Sequence, residues 1–402
     1  VLAGRACCRT GLLAGGAARA GPRAGPHEPY GHALWPGCPA DTWGGIGLDI
    51  RASGPLNHTT TGHKPDPFPP PGHYPAVMTI PVTLIAGFLG SGKTTLVRRI
   101  LEESHGVRCA VIVNEFGEVG IDGDLLERAA WTRGTADSSA VVELANGCIC
   151  CEIQDDLRTT LLGLVGEDPS RVPLDRILVE ASGAASPGPA AQTFLIDGVL
   201  QSRVHLEGVV ALAHAGLIEH LMNATVEAEA QVAYADRIVL NHADRVEPEE
   251  AERLVGWLRS LNPLAEVRLA ERAVVPLDWV LGASSRTDRI QVPEGTSASH
   301  TLGLTSVSLV TEGPVDVDAL VIWLEFLAKR RSHELMRAKG VVAARSSAGA
   351  APRCLVIQGV YRWLEVTEGE GEVPLESRLV LIGRDLDEAE VRRGWAAITG
   401  RE

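Results

Sequence analysis

The chain has 402 residues, more than one ordinary domain holds, and its 45% hydrophobic and 22% charged residues match a soluble globular protein of two domains. No apolar run approaches the roughly 20 residues of a membrane helix, which excludes a membrane partner of that kind, and a net charge of −14 without a local basic patch argues against nucleic acid. The eight cysteines are unevenly placed and no export signal accompanies them, so a reducing cytoplasm is expected rather than a disulfide scaffold.

Residues 1–77 are rich in Gly, Ala, Pro and Arg, carry a net charge of +2, and show neither helical nor strand periodicity. They read as a disordered extension. Their histidines (His27, His32, His58, His63, His73) are scattered rather than set at metal-ligand spacing, and no apolar core of a targeting peptide is present. The composition shifts at Met78, directly ahead of the first apolar strand, so Met78 is expected to be the physiological start; mass spectrometry of the native N-terminus tests this.

From Met78 to about Gly295, strand-like runs alternate with amphipathic helices, the pattern of an α/β domain with a mostly parallel sheet. Strands are expected at Val82–Ala86, Cys109–Val113, Val141–Leu144, Arg176–Val179, Gly208–Leu212, Arg237–Leu240 and Glu266–Leu269, and helices include Thr94–Glu103 and Pro248–Leu261. From residue 296 to 402 a smaller α+β domain is expected. It has strands around His300–Val310, Val341–Ala344, Leu355–Val360 and Leu379–Ile382, a helix at Val317–Arg331, and a last helix from Asp387. Cys109 and Cys354 sit in apolar runs and read as core.

The first strand leads into GFLGSGKT, Gly87 to Thr94, which matches G-x-x-x-x-G-K-[ST] in the strand–loop–helix context that motif requires. Glycines let backbone N–H groups turn inward around phosphates, Lys93 reaches the β- and γ-phosphates, and the Thr94 hydroxyl ligates Mg²⁺. The expected fold is therefore a P-loop NTPase. The segment Asn114 to Leu126, NEFGEVGIDGDLL, falls where P-loop proteins keep switch elements. Glu115, Glu118 and Asp122 are candidate metal or water ligands there, and a solvated acidic loop is an equal reading.

ELANGCICCEIQDDL then places Cys148, Cys150 and Cys151 within four positions between a strand and a helix. Thiolates suit Zn²⁺ or Co²⁺, and three protein ligands leave an exchangeable fourth position, as delivery of a metal requires. Buried core thiols and a Cys150–Cys151 redox pair are the alternatives. ILVEASG ends an apolar strand in Glu180, which would hold Mg²⁺ or its water, and Gly183 would offer a backbone N–H to the γ-phosphate. Otherwise Glu180 is a strand-end carboxylate capping the next helix. LNHAD, Leu240 to Asp244, resembles the base-reading N-K-x-D. Asp244 can accept from guanine N1–H and N2–H₂, which adenine does not offer, while His242 stands where lysine is usual and can stack on the base instead.

Together GFLGSGKTTL, NEFGEVGIDG, ELANGCICC, VEASGAASP, LNHAD and the C-terminal RAKG, VIQGVYRWLE and SRLVLIGRDLDE resemble the CobW family of metal-chaperone GTPases, from about Met78 to Trp395. The resemblance implies a GTPase that binds zinc or cobalt at C-x-C-C and couples nucleotide state to transfer into a client metalloprotein, with the C-terminal domain helping client recognition. It assigns Gly87, Gly90, Ser91, Gly92, Lys93, Thr94 and Thr95 to phosphate and Mg²⁺, and Glu180 and Gly183 to the switch. Asn241 and Asp244 go to guanine, and Cys148, Cys150 and Cys151, with Glu115, to metal. Lys93, Thr94 and Glu180 are the catalytic candidates.

The chain departs from the family pattern at His242, at AASP after Gly183, and at His214, near where relatives carry aspartate. It also lacks their His-rich loop. A metal-buffering protein with weak nucleotide hydrolysis is the competing expectation; a small-molecule kinase would need an arginine-bearing lid that no segment supplies. Expected partners are a client metalloprotein and guanine nucleotide, with homodimer formation left open.

Overall fold

The computed structural model describes residues 49–51, 79–103, 108–113, 140–143, 152–166, 174–282, 298–299, 303–330, 334–346, 351–361, 363–369 and 372–400. Most of the N-terminal 77 residues lie outside these, but Asp49–Arg51 form strand β1. It pairs in parallel with the edge strand Trp363–Glu368. Backbone hydrogen bonding to an open sheet edge does not need the side-chain periodicity that residues 1–77 lack.

The first sheet has seven strands: β2 (Ile80–Gly87), β3 (Cys109–Val113), β4 (Ala140–Glu143), β5 (Arg176–Glu180), β6 (Val204–His214), β7 (Arg237–Asn241) and β8 (Glu266–Leu269). Their order is β4-β3-β5-β2-β6-β7-β8 and every pairing is parallel. A parallel sheet is covered by helices on both faces, so its central strands are continuously apolar rather than alternating. Strand β3 is buried at all five positions, and Val82 to Gly87 of β2 are buried throughout.

Helices α1 (Lys93–Glu102), α2 (Glu152–Leu164), α3 (Pro187–Ile196), α4 (Gly198–Gln201), α5 (Ile218–Ala224), α6 (Val226–Tyr234), α7 (Pro248–Leu261) and α8 (Leu277–Leu281) connect these strands. Two apolar clusters form, one around Leu84, Ile112 and Tyr234, the other around Ile85, Leu96 and Val239. The strand expectations hold to within one or two residues at most ends, with β6 longer than its apolar stretch.

The second sheet contains β9 (Ala298–Ser299), β10 (Leu304–Glu312), β11 (Val315–Asp316), β12 (Leu335–Arg345), β13 (Arg353–Val360), β14 (Trp363–Glu368) and β15 (Glu376–Arg384), in the order β1-β14-β13-β12-β15-β10-β9 with β11 beside β12. Apart from β1 and β11 its pairings are antiparallel. Helices α9 (Val317–Arg330) and α10 (Glu388–Thr399) complete its core with Trp323 and Trp395. Cys109 is buried as expected, and burial pushes its thiol up to about 11, whereas Cys354 is half-buried. Among the described residues no helix is long and apolar enough to cross a membrane.

The two sheets meet across α6. Asp236, just after that helix, accepts from Val209 N at 2.8 Å, from Arg337 at 2.8 Å and from Lys339 at 3.2 Å, the last two on β12. Burial alone would raise the Asp236 carboxyl, but the Arg337 and Lys339 charges and the Val209 N–H hold it well below the usual carboxylate range. Arg384 pairs with Glu229 of α6 in the same interface. Tyr234 packs against Tyr361, whose ring centroid lies 5.4 Å away.

Candidate functional site at the carboxyl edge of the parallel sheet

Strand β2 stops at Gly87 because the chain must turn where no side chain fits. Gly87 has φ 140°, and a Cβ there would lie 2.4 Å from the Leu212 carbonyl oxygen. Gly92 has φ 103° and caps α1 without a side chain, so the first N–H groups of that helix face the loop and no acidic residue occupies its first turn. The result is a concave ring of backbone donors at a positive helix end, suited to phosphate. Lys93 is buried and donates to the Phe88 carbonyl across the loop at 3.4 Å. Ser91 Oγ is buried with no hydrogen-bond partner among the described residues. A phosphate oxygen would satisfy it.

Glu180 ends β5 next to β2, paired in register with Ile85, and is 4% exposed. Its Oε1 accepts from Thr94 Oγ1 at 2.9 Å. The two groups assigned to Mg²⁺ thus converge at the first turn of α1. A hydroxyl and a carboxylate are the hard oxygen donors that Mg²⁺ takes, so the residues fit the ion. Thr95 follows on the same turn. The backbone after Glu180 passes over the phosphate loop so closely that a Cβ on Gly183 would meet Leu89 N at 2.9 Å. From behind, the Gln231 amide of α6 donates to Gly183 O at 3.2 Å and Ala185 O at 3.1 Å. Ser186, which caps α3, lies 3.4 Å from the Tyr361 hydroxyl of the second sheet.

On the other side of β2, Asn241 ends β7 almost completely buried. Its Nδ2 donates to the Ser91 carbonyl at 2.8 Å, and its Oδ1 accepts from Ala273 N at 2.9 Å. Asn241 therefore ties the phosphate loop to the loop after β8. That loop carries two consecutive non-glycine residues with positive φ, Arg272 and Ala273. Arg99 of α1 fastens it from below by donating to the carbonyls of Ala273 and Val275, both at 2.9 Å. Neither Arg99 nor Ala273 carries a motif signal; they are functional only through where the chain returns. His242 is left-handed (φ 60°) and opens a short turn, Ala243–Arg245, that leaves Asp244 exposed beside Asn241. His214, at the end of the adjacent β6, stacks on His242 with centroids 4.3 Å apart. The two residues that depart from the family pattern are thus neighbours.

Glu115, Glu118, Asp122, Cys148, Cys150 and Cys151 lie outside the described residues, and among the described residues no group of three His, Cys, Asp or Glu is arranged to hold a metal. The strands flanking them are placed. β3 and β4 end at Val113 and Glu143, in register with each other, and Val113 is in register with Glu180. At about 4.8 Å per strand, the end of β4 is roughly 10 Å from that of β5.

Residues 81–268 match the CobW/HypB/UreG nucleotide-binding domain, and residues 304–399 match the cobalamin synthesis protein cobW C-terminal domain. The chain is 34% identical over 327 residues to the zinc chaperone YjiA of Escherichia coli, covering 79% of this chain and 98% of that protein. It belongs to the CobW family. A second relative is the zinc chaperone CobW of Pseudomonas aeruginosa, 33% identical over 353 residues, covering 78% of this chain and 89% of that protein. The crystal structure of Zn(II)-bound YjiA GTPase from E. coli superposes with a TM-score of 0.60 at 30% identity, covering 80% of this chain and 99% of that one. The fold of this CobW-family chain is therefore that of a P-loop GTPase with a separate, mainly antiparallel C-terminal sheet.

Proposed function

We propose that the protein is a GTP-hydrolysing metallochaperone that carries zinc, or cobalt, as cargo on Cys148, Cys150 and Cys151 and delivers it to a client metalloprotein. The observation that carries the nucleotide half is the Thr94–Glu180 hydrogen bond at the mouth of the phosphate loop. It joins the loop to the strand end whose following turn lies over that loop. The cargo half rests on the C-x-C-C segment and on relatives named zinc chaperones.

In this reading the backbone of Gly87 to Thr95 and Lys93 bind the triphosphate, while Thr94 and Glu180 hold Mg²⁺. When bound, that ion neutralises charge developing on the β- and γ-phosphates. Asp244 selects guanine. Gly183 senses the γ-phosphate through its N–H, and Gln231 holds the carbonyls of that turn so that a change there is felt as a displacement of a hydrogen-bonded unit. The segments carrying Glu115 and the cysteines follow β3 and β4 in sequence, and the ends of those strands, in register with Glu180, support a cargo site near the switch. A reducing cytoplasm keeps the thiols free to bind metal.

The test is metal analysis and GTP turnover on the full chain, wild type beside Cys150→Ser, with zinc and cobalt titrated in each. About one metal equivalent that depends on Cys150 and alters turnover is the expected result. Turnover indifferent to metal would uncouple the two sites and favour a buffering protein.

A further inference from the structure

The stacked pair His214–His242 has no role in the reading above beyond the place of His242 in the base-reading motif. The rings lie 4.3 Å apart with planes inclined by 22°, and both side chains are half-buried. They come from the carboxyl ends of adjacent parallel strands, with His214 in register with Asn241. His242 is held by its left-handed backbone to face its neighbour, and the exposed Asp244 follows it by two residues. The Gly216 N–H donates to His214 Nδ1 at 3.1 Å. A backbone N–H can only donate, so Nδ1 must carry a lone pair and the neutral ring carries its proton on Nε2.

We propose that His214 is a positioning residue of the nucleotide site, propping the His242 ring as the flat support on which a guanine base stacks. This rests on the reading of Asn241 and Asp244 as the base-binding end of the site. An isolated imidazole on a turn has free rotamers, and stacking against a second ring, itself pinned by Gly216, removes that freedom before the base arrives.

The same hydrogen bond makes the prop sensitive to protons. The only nitrogen of His214 that can accept a proton is Nδ1, and a proton there would face the Gly216 N–H, donor against donor. Protonation therefore releases the ring from Gly216 and loosens the stack. The charged groups acting on His214 are Arg245 and Asp244 of the turn after β7, together with His242 itself. Burial first, then His242 and Arg245, keep His214 below the ordinary histidine range, and Asp244 opposes them only in part. Base binding needs the neutral ring, so affinity is full at neutral pH and falls only on acidification below the ordinary histidine range.

The experiment measures dissociation constants of the full chain for GDP between pH 5 and 8, for wild type, His214→Phe, His214→Ala and Asp244→Ala. Wild type should lose affinity on acidification, by at most about tenfold per pH unit for one proton. His214→Phe keeps a flat ring without a titrating nitrogen but cannot accept from the Gly216 N–H, so it should bind somewhat more weakly than wild type at pH 8, more tightly than His214→Ala, and lose this acid dependence. His214→Ala should bind roughly three- to tenfold more weakly at every pH, the worth of one aromatic pair. Wild-type acid dependence retained in His214→Phe, or wild-type affinity in His214→Ala, would overturn the proposal. Asp244→Ala separates this from the reading beneath it. If that variant binds GDP as tightly as wild type, the base site itself is misplaced; if it weakens GDP while the His214 variants behave as wild type, only the prop fails.

Discussion

The phosphate side and the base side of the nucleotide site are built by different means. On the phosphate side the working groups are mostly backbone N–H donors, and the glycines that shape them follow one another in a single stretch from Gly87 to Gly92. On the proposed base side they are brought together from three strand ends and a helix: Asn241 at the end of β7, His214 at the end of β6, Ala273 beyond β8 and Arg99 on α1. A site made of consecutive backbone is fixed by local sterics and leaves a contiguous signature. A site made of returning strands is fixed by topology and leaves isolated letters.

Four experiments would break or sharpen that comparison. The largest effect is expected from Lys93→Ala, which removes the cationic side chain of the phosphate side. GTP turnover should fall by about a hundredfold or more, with discrimination between guanine and adenine nucleotides unchanged in binding assays. Loss of base discrimination in this variant would mean that the two sides are not separate.

Asp236→Asn serves as the outgroup, since it touches neither side. It leaves Arg337 and Lys339 facing an amide in the interface between the sheets, at a cost of about 3 kcal/mol in denaturant unfolding. Because the folded Asp236 carboxyl is depressed, its contribution is complete above the ordinary carboxylate range and is lost as pH falls through the lower folded value. The stability gap between wild type and this variant should accordingly be constant from pH 7 to about 5 and shrink below about 4.

Asn241→Ala comes next, because it strands the Ser91 carbonyl and the Ala273 N–H together. A loss of about 2 kcal/mol in unfolding free energy is expected, accompanied by weaker binding of nucleotide through both ends of the molecule. Arg99→Ala is the smallest. It frees two carbonyls of the loop after β8, at about 1 kcal/mol, and should speed amide hydrogen exchange at residues 270–275 while leaving exchange at Gly87 to Thr94 as it was.

The same contrast explains what could be read before the fold was known. The runs CAVIV and EVRL coincide with β3 and β8, and the helix Pro248–Leu261 is coextensive with its apolar periodicity and its first-turn proline. Two separate motifs pointed Thr94 and Glu180 to Mg²⁺, and their meeting depends on β5 lying beside β2, which neither motif specifies. His214 was legible only as a departure from a family pattern, and its stacking on His242 depends on strand order, which no local signal carries. Arg272 and Ala273 were out of reach, since a left-handed pair without glycine or asparagine looks like any other loop. Strand β1 left no signal because pairing to a sheet edge through backbone hydrogen bonds does not require side-chain alternation. Cys148, Cys150 and Cys151 stand out in the sequence through their spacing, and they lie outside the described residues.

Gln231 gives the switch turn a mechanical character. One amide group holds two carbonyls, Gly183 and Ala185, and it sits one turn from the end of α6, where Tyr234 and the neighbouring Asp236 fasten that helix to the second sheet. The turn and helix α6 therefore share a linkage: to move the turn alone, both bonds must be given up at once. Motion that keeps them carries this end of α6 along, and with it Tyr234, one turn from Gln231. With the Gly183 turn acting as the proposed phosphate switch, its movement would be felt directly at the contact with the C-terminal sheet, and a ligand gripping that sheet would load the same linkage from the opposite direction.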